Sequence, residues 1–162
     1  MTSRKTGNAT RPRDPWAAAL RMLTRRDYST LELRQRLQDR GYDQALVESA
    51  LERCRVHQYL DDDRYAYNRA VSLLSQGRAV GPKIVSDLQR RGIAPHVAQQ
   101  ALSLAMQDFD EDQLLESLLA RRYPRFDYAA AAPAERRRVV TFLQRRGFSL
   151  ETIMNKLTQK GC

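Results

Sequence analysis

The sequence predicts an all-α fold made of three tandem three-helix repeats, which together form an elongated, curved helical array. Three observations support this prediction. Apolar residues recur at the i, i+3, i+4 and i+7 spacing of amphipathic helices through most of the chain. No segment has the period-two alternation that is expected of a strand. A short motif ending in glycine and one further residue occurs three times, as LQDRGY at 37–42, LQRRGI at 88–93 and LQRRGF at 143–148.

The repeated motif sets the length of each repeat. Its glycines, Gly41, Gly92 and Gly147, are 51 and 55 residues apart. Apolar residues recur six and ten positions after each glycine, at Val47, Ala98 and Ile153 and at Leu51, Leu102 and Leu157. We expect each glycine to end a helix in the left-handed conformation that glycine favours. The predicted organisation is a flexible basic tail at 1–14 and repeats at 15–60, 61–108 and 109–162.

The first repeat contains three predicted helices. Trp16, Leu20 and Leu23 lie at i, i+4 and i+7 in the first helix. Ser29 and Glu32 have the spacing of a capping box, so a second helix should begin there and end at the first repeat glycine. The third helix carries an apolar stripe that consists of Val47, Ala50, Leu51 and Cys54.

The second repeat opens with the acidic run 61–63. Carboxylates suit the N-terminus of a helix, where the helix dipole favours negative charge. A divalent-metal site is the alternative interpretation, but it would need oxygen ligands from elsewhere in the chain. Pro82 follows Gly81 and predicts the start of the next helix. The first and last helices carry the apolar stripes Ala66, Ala70, Leu73 and Leu74, and Ala98, Ala101, Leu102 and Ala105.

The third repeat begins near Asp110, where acidic residues again precede an apolar stripe. A longer connection, 123–132, is predicted before the helix that starts at Pro133. Ser149 is the predicted cap of the last helix. The three apolar stripes are Leu114, Leu115 and Leu118, then Val139, Val140 and Leu143, then Ile153, Met154 and Leu157.

The sequence lacks the motifs of an enzyme. Neither His57 nor His96 has a cysteine or carboxylate at metal-ligand spacing on the same helical face. The glycine-rich loops that bind phosphates and the GxSxG motif of serine hydrolases do not occur. We therefore expect a protein that is not an enzyme, with no catalytic residue, no metal and no cofactor.

The charge of the chain favours a polyanionic partner. Lysine and arginine number 28 against 19 acidic residues, which gives a net charge of +9 and a pI near 10.1. An acidic protein surface or an anionic membrane surface would be alternative partners. Cys54 and Cys162 are too few for a disulfide framework. Because there is no signal-peptide pattern and no apolar run of roughly 18 residues, we expect a cytoplasmic protein that does not enter a membrane. We also expect it to be a monomer.

Arginine is concentrated in the third repeat. The segment 121–146 contains eight arginines against Asp127 and Glu135, a net charge of +6 (8 − 2). Few acidic residues lie at the i, i+4 positions that would balance a solvated helix face, which is the alternative interpretation. Arg138 and Arg145 are seven residues apart and should share one face of a helix. The candidate binding residues are Arg90, Arg91, Arg121, Arg122, Arg136, Arg137, Arg138, Arg145 and Arg146.

Several of these segments resemble the RecX family of regulatory proteins. The resemblance covers residues 16–160, and the third repeat keeps the apolar frame and the glycine in ERRRVVTFLQRRGF at 135–148. The similar segments in the first two repeats are STLELRQRLQDRGY at 29–42, LDDDRYA at 60–66 and GPKIVSDLQRRGI at 81–93.

The resemblance implies both a fold and a function. RecX proteins are all-helical, consist of three tandem three-helix repeats and have no catalytic residues. The resemblance implies that this chain binds RecA filaments on single-stranded DNA, with free DNA as a further partner. It also implies that the chain restrains RecA strand exchange and coprotease activity in homologous recombination, DNA repair and the SOS response.

A stand-alone DNA-binding protein is the alternative, because each repeat contains a helix, a glycine turn and a helix. A recognition helix would expose Arg, Asn or Gln near its N-terminus. The residues after the three glycines are Asp43 and Gln44, Pro95 and His96, and Leu150 and Glu151. Only Gln44 suits base reading, so the sequence favours the regulatory protein.

Overall fold

The computed structural model describes residues 14–159, and every regular element in that range is helical. The helices of the first repeat are α1 (Pro15–Leu23), α2 (Thr30–Gln38) and α3 (Gln44–Val56). Those of the second are α4 (Asp62–Ser75), α5 (Pro82–Arg90) and α6 (Pro95–Ala105), which a 3₁₀ turn (Met106–Asp108) follows. Those of the third are α7 (Glu111–Arg122), α8 (Pro133–Arg146) and α9 (Leu150–Gln159). The predicted all-α fold of three-helix repeats is confirmed.

The helix ends follow from local capping signals. Ser29 and Glu32 form the predicted capping box, and Ser149 Oγ accepts a hydrogen bond of 2.9 Å from the Thr152 amide at the start of α9. Asp14 accepts a hydrogen bond of 3.0 Å from the amide of Trp16 and caps α1. Asp14 therefore belongs to the helical region, whereas residues 1–13 of the predicted tail lie outside the described residues.

The repeat glycines have the conformation that the sequence predicts. The φ angles of Gly41, Gly92 and Gly147 are +82°, +81° and +111°. In each case the amide of the next residue donates to the carbonyl of the motif leucine, at distances of 3.4, 3.1 and 3.4 Å. The three motif leucines are fully buried at Leu37, Leu88 and Leu143. The same helix stop is thus built three times.

The chain divides into two compact units, Met1–Asp61 and Asp62–Cys162. In the first unit α1 and α2 both pack against α3, around a core that includes Leu33 and Leu51. In the second unit α6 contacts α4 and α5, and α9 contacts α7 and α8. A single apolar cluster runs from Tyr65 to Leu157 in this unit, so the second and third repeats share one core.

The end of α8 lies against the connection between α4 and α5. The Val80 amide donates to the Arg146 carbonyl oxygen at 2.8 Å. A Cβ added to Gly147 would overlap the Val80 carbonyl oxygen and would lie 2.9 Å from Cγ of Lys83. Glycine is therefore required at this position for space as well as for its positive φ angle.

Candidate polyanion-binding surface

The nine candidate arginines all belong to the second unit. Two lie at the end of α5, two at the end of α7, and the others on α8. Although they look alike in the sequence, their side chains have two different environments. Some hold the fold together and others extend into solvent.

Arg91 is part of a structural ion-pair network. Its Nε lies 3.0 Å from Oδ2 of Asp87, and its Nη1 donates to Tyr65 Oη at 3.2 Å. Arg69 on α4 reaches the same carboxylate, with Nε 2.9 Å from Oδ2. Burial of Asp87 opposes its ionisation, but the hydrogen bonds from the two arginines outweigh this effect and lower the pKa of the carboxyl. Arg91 thus joins α5 to α4.

Arg121 and Arg146 hold the connection between α4 and α5. Arg121 Nη2 donates to the Gln76 carbonyl oxygen at 3.0 Å, and Arg146 Nη1 donates to the Arg78 carbonyl oxygen at 3.2 Å. The guanidinium of Arg146 also lies 5.0 Å from the centroid of the Phe142 ring. Both arginines therefore satisfy backbone carbonyls of the second repeat from helices of the third.

Arg136 holds the connection between α7 and α8. Its Nη2 donates to the Ala129 carbonyl oxygen at 2.8 Å, and its guanidinium lies 5.0 Å from the centroid of the Tyr128 ring. Its Nε is buried and has no hydrogen-bond partner within residues 14–159. The side chain is therefore fixed by the fold and offers little to an external ligand.

The remaining five candidates are exposed: Arg90, Arg122, Arg137, Arg138 and Arg145. Arg90 is 70% exposed and makes one long ion pair, 3.5 Å, with Asp87. Within the described part of the chain the other four have no ion pair, hydrogen bond or ring contact. These four are the least neutralised cations among the candidates.

The exposed arginines of α8 lie opposite its buried stripe. Val139 and Leu143 are fully buried against the core of the second unit. Arg138 and Arg145 are seven residues apart, so they occupy the same face two turns apart, with a rise of about 10 Å between them. Arg137 lies beside them, about 100° around the helix. We call Arg137, Arg138 and Arg145 the α8 arginine face.

Sequence reasoning could not separate the two groups of arginines. The i, i+4 spacing of Asp87 and Arg91 was a local signal for an ion pair on α5. The carbonyl partners of Arg121 and Arg146 are 45 and 68 residues away in the chain, and no local pattern indicates them. The fold thus narrows the candidate surface to the α8 arginine face with Arg122 and Arg90.

The described residues hold no group of three potential metal ligands. Burial raises the pKa of the Cys54 thiol. Between residues 14 and 159, no helix has the length and apolar character needed to cross a bilayer.

Known proteins resemble this chain over most of its length. Residues 16–54 match the family description "RecX, first three-helix domain", and residues 110–157 match "RecX, third three-helix domain". The "Regulatory protein RecX" of Syntrophotalea carbinolica is 42% identical over 147 residues, which cover 91% of this chain and 96% of the relative. The protein of the same name from Trichlorobacter lovleyi is 38% identical over 88% of this chain and 92% of its own.

A solved structure has the same fold. The crystal structure of RecX from Lactobacillus salivarius matches with a TM-score of 0.67 and 19% sequence identity, over 90% of this chain and 93% of that one. The second family match covers the third repeat, including the α8 arginine face. The chain belongs to the RecX family of regulatory proteins.

Proposed function

We propose that this protein is a non-enzymatic regulator that binds RecA filaments on single-stranded DNA and mostly inhibits RecA recombinase and coprotease activity. Its proposed setting is DNA repair and the SOS response in the cytoplasm, and its proposed form is a monomer. Membership of a family of proteins named regulatory proteins supports the regulatory role. The exposure of the α8 arginine face is the observation that favours a RecA filament on single-stranded DNA as the partner.

The α8 arginine face suits a nucleoprotein filament. Arginine donates hydrogen bonds in a planar fork that fits phosphate and carboxylate groups. Binding such groups releases counterions from the nucleic acid, so the affinity falls as the salt concentration rises. Arg138 and Arg145 are exposed and carry no acidic partner within residues 14–159, so no internal ion pair has to be broken before binding. Filament binding should therefore depend on them.

The helix-turn-helix alternative receives less support. The helix after the second glycine, α6, begins with Pro95, and α9 begins with Leu150 and Glu151. Neither start presents the Arg, Asn or Gln that reads base edges in the major groove. Of the three helices that follow a repeat glycine, only α3 begins with such a residue, the exposed Gln44. Sequence-specific binding to duplex DNA is accordingly not proposed.

The proposal is tested with the double variant Arg138→Glu and Arg145→Glu in the full chain. Binding to RecA filaments assembled on single-stranded DNA is measured at several salt concentrations, together with RecA ATPase and strand exchange. We expect weaker binding and weaker inhibition. The slope of the salt dependence should fall by about one unit for each phosphate that the variant no longer binds.

A control variant replaces two arginines by glutamate elsewhere, so that its net charge changes by the same amount as in the Arg138→Glu, Arg145→Glu variant. Arg25 and Arg36 are exposed residues of the first unit, and the variant Arg25→Glu with Arg36→Glu should bind filaments as the parent does. Circular dichroism checks that both variants retain their helices. Unchanged filament affinity in a folded Arg138→Glu, Arg145→Glu protein would overturn the proposed binding face.

A further inference from the structure

The first unit carries a cluster of aromatic rings at its surface. The ring centroids of Trp16 and His57 are 5.7 Å apart, those of Trp16 and Tyr59 are 6.1 Å apart, and those of His57 and Tyr59 are 5.9 Å apart. The guanidinium of Arg53 lies 4.2 Å from the Trp16 ring centroid. We call the three rings the aromatic cluster. None of its members belongs to the α8 arginine face.

A strained turn holds the aromatic cluster together. α3 ends at Val56, and His57 is its C-cap. Gln58 has a φ angle of +58°, and among residues 14–159 it is the one non-glycine residue with a positive φ. The Tyr59 amide donates to the Cys54 carbonyl oxygen at 2.9 Å, which closes the turn. The chain therefore accepts an unfavourable backbone conformation where it places His57 and Tyr59 beside Trp16.

Trp16 is half-buried against the core of the first unit, whereas the other two rings are more exposed than packing alone would require. Tyr59 is 51% exposed, Val56 beside it is 71% exposed, and His57 is also exposed. In the second repeat, the turn that follows α6 carries Phe109, which packs against the core of the second unit. Core packing therefore accounts for that ring, but it does not account for the exposed rings of His57 and Tyr59.

We infer that the aromatic cluster is a binding site for the bases of single-stranded nucleic acid. Exposed aromatic rings and guanidinium planes stack on unpaired bases of any sequence, because every base has a π face. The guanidinium of Arg53 favours this ligand over an apolar peptide, because Arg53 is exposed and lies over the Trp16 ring, where a guanidinium stacks on a base or pairs with a phosphate.

This inference is independent of the proposed filament binding, because the aromatic cluster binds single-stranded nucleic acid in the absence of RecA. The cluster adds a stacking contact in the first unit to the ionic contacts proposed for the second. Stacking depends less on salt than phosphate contacts do. Binding at the aromatic cluster should therefore persist at salt concentrations that weaken binding through the α8 arginine face.

Trp16 reports on this site directly, because it is the only tryptophan of the chain. The full protein is titrated with oligothymidylate, without RecA, while Trp16 fluorescence is recorded. Anisotropy of a labelled oligothymidylate provides a second measurement. We expect saturable quenching of Trp16. The variant His57→Ala with Tyr59→Ala should bind about tenfold more weakly, which is within the range for loss of base stacking.

The control removes one histidine and one tyrosine from another surface. His96 and Tyr67 are exposed in the second unit, so His96→Ala with Tyr67→Ala should bind the oligonucleotide as the parent does. Because His57 and Tyr59 are exposed, we expect circular dichroism of their variant to match that of the parent.

Three results would overturn the inference. The first is oligonucleotide binding without quenching of Trp16. The second is equal affinity in the His57→Ala, Tyr59→Ala variant and its control. The third is loss of filament binding in that variant while its affinity for free oligonucleotide is unchanged, which would identify the cluster as a protein-binding surface.

Discussion

Replacing Gly147 by alanine should destabilise the second unit much more than the equivalent change at Gly41 destabilises the first. Both glycines have positive φ angles, so alanine at either position incurs a backbone cost of about 1–2 kcal/mol. For Gly41→Ala we expect no further loss of stability from steric overlap, because no described atom lies within 4 Å of the added Cβ.

At Gly147 the added Cβ meets atoms that cannot easily move. It would overlap the Val80 carbonyl oxygen and press on the side chain of Lys83. Overpacking of this kind costs about 1–3 kcal/mol. Displacing Val80 also weakens its amide hydrogen bond to the Arg146 carbonyl oxygen, which contributes about 1 kcal/mol. The expected loss for Gly147→Ala is therefore about 3–6 kcal/mol, against about 1–2 kcal/mol for Gly41→Ala.

Two probes distinguish the units during urea or thermal unfolding. Trp16 fluorescence follows the first unit, and circular dichroism follows the helices of both. Gly41→Ala should lower the midpoint of the fluorescence transition by about 4 °C or more, whereas Gly147→Ala should lower the midpoint of the second unit by about 12 °C or more. Free-energy losses that agree within about 0.5 kcal/mol would refute the close-contact argument, because backbone strain alone would then account for both.

Two further predictions concern stability. Asp87→Asn should lower the free energy of unfolding by about 1–3 kcal/mol, because it leaves Arg69 and Arg91 without their carboxylate. Since the pKa of Asp87 is lowered on folding, its contribution is complete above the ordinary carboxyl pKa and is lost as the pH falls through the folded value. Urea unfolding from pH 7 to pH 3 should therefore show a smaller acid-induced loss in Asp87→Asn than in the parent, and an equal loss would contradict this role. Deletion of residues 2–13 should leave the unfolding midpoint unchanged, because they contain no apolar stripe to bury and Asp14 remains to cap α1. A marked drop in that midpoint would contradict the prediction.

The predictable part of the fold was encoded in short segments. The capping box at Ser29 and the glycine stops depend on residues within one helical turn, so their spacing identified them. The apolar stripes likewise identified the buried face of each helix. These signals repeat three times, which made the three-helix repeats visible without any tertiary information.

The parts that the sequence did not reveal depend on distant contacts. Arg138 and Arg146 look equivalent in the sequence, yet one is exposed and the other donates to a carbonyl oxygen 68 residues away. Trp16 and Tyr59 are likewise far apart in the chain, and only the packing of α1 on α3 brings their rings together. Charge density in the sequence predicted a candidate region, but the fold decides which side chains in that region remain exposed.

The contact between Val80 and the end of α8 limits how these repeats can be exchanged between proteins. The sequence motif marks a boundary between the second and third repeats, but these two repeats form one compact unit and cannot be separated there. A third repeat transplanted alone into a relative would lose its carbonyl partners at Gln76 and Arg78 and the amide that holds the last turn of α8. The smallest exchangeable piece that carries the α8 arginine face is therefore the whole segment Asp62–Cys162, and chimeras should be joined near Asp61.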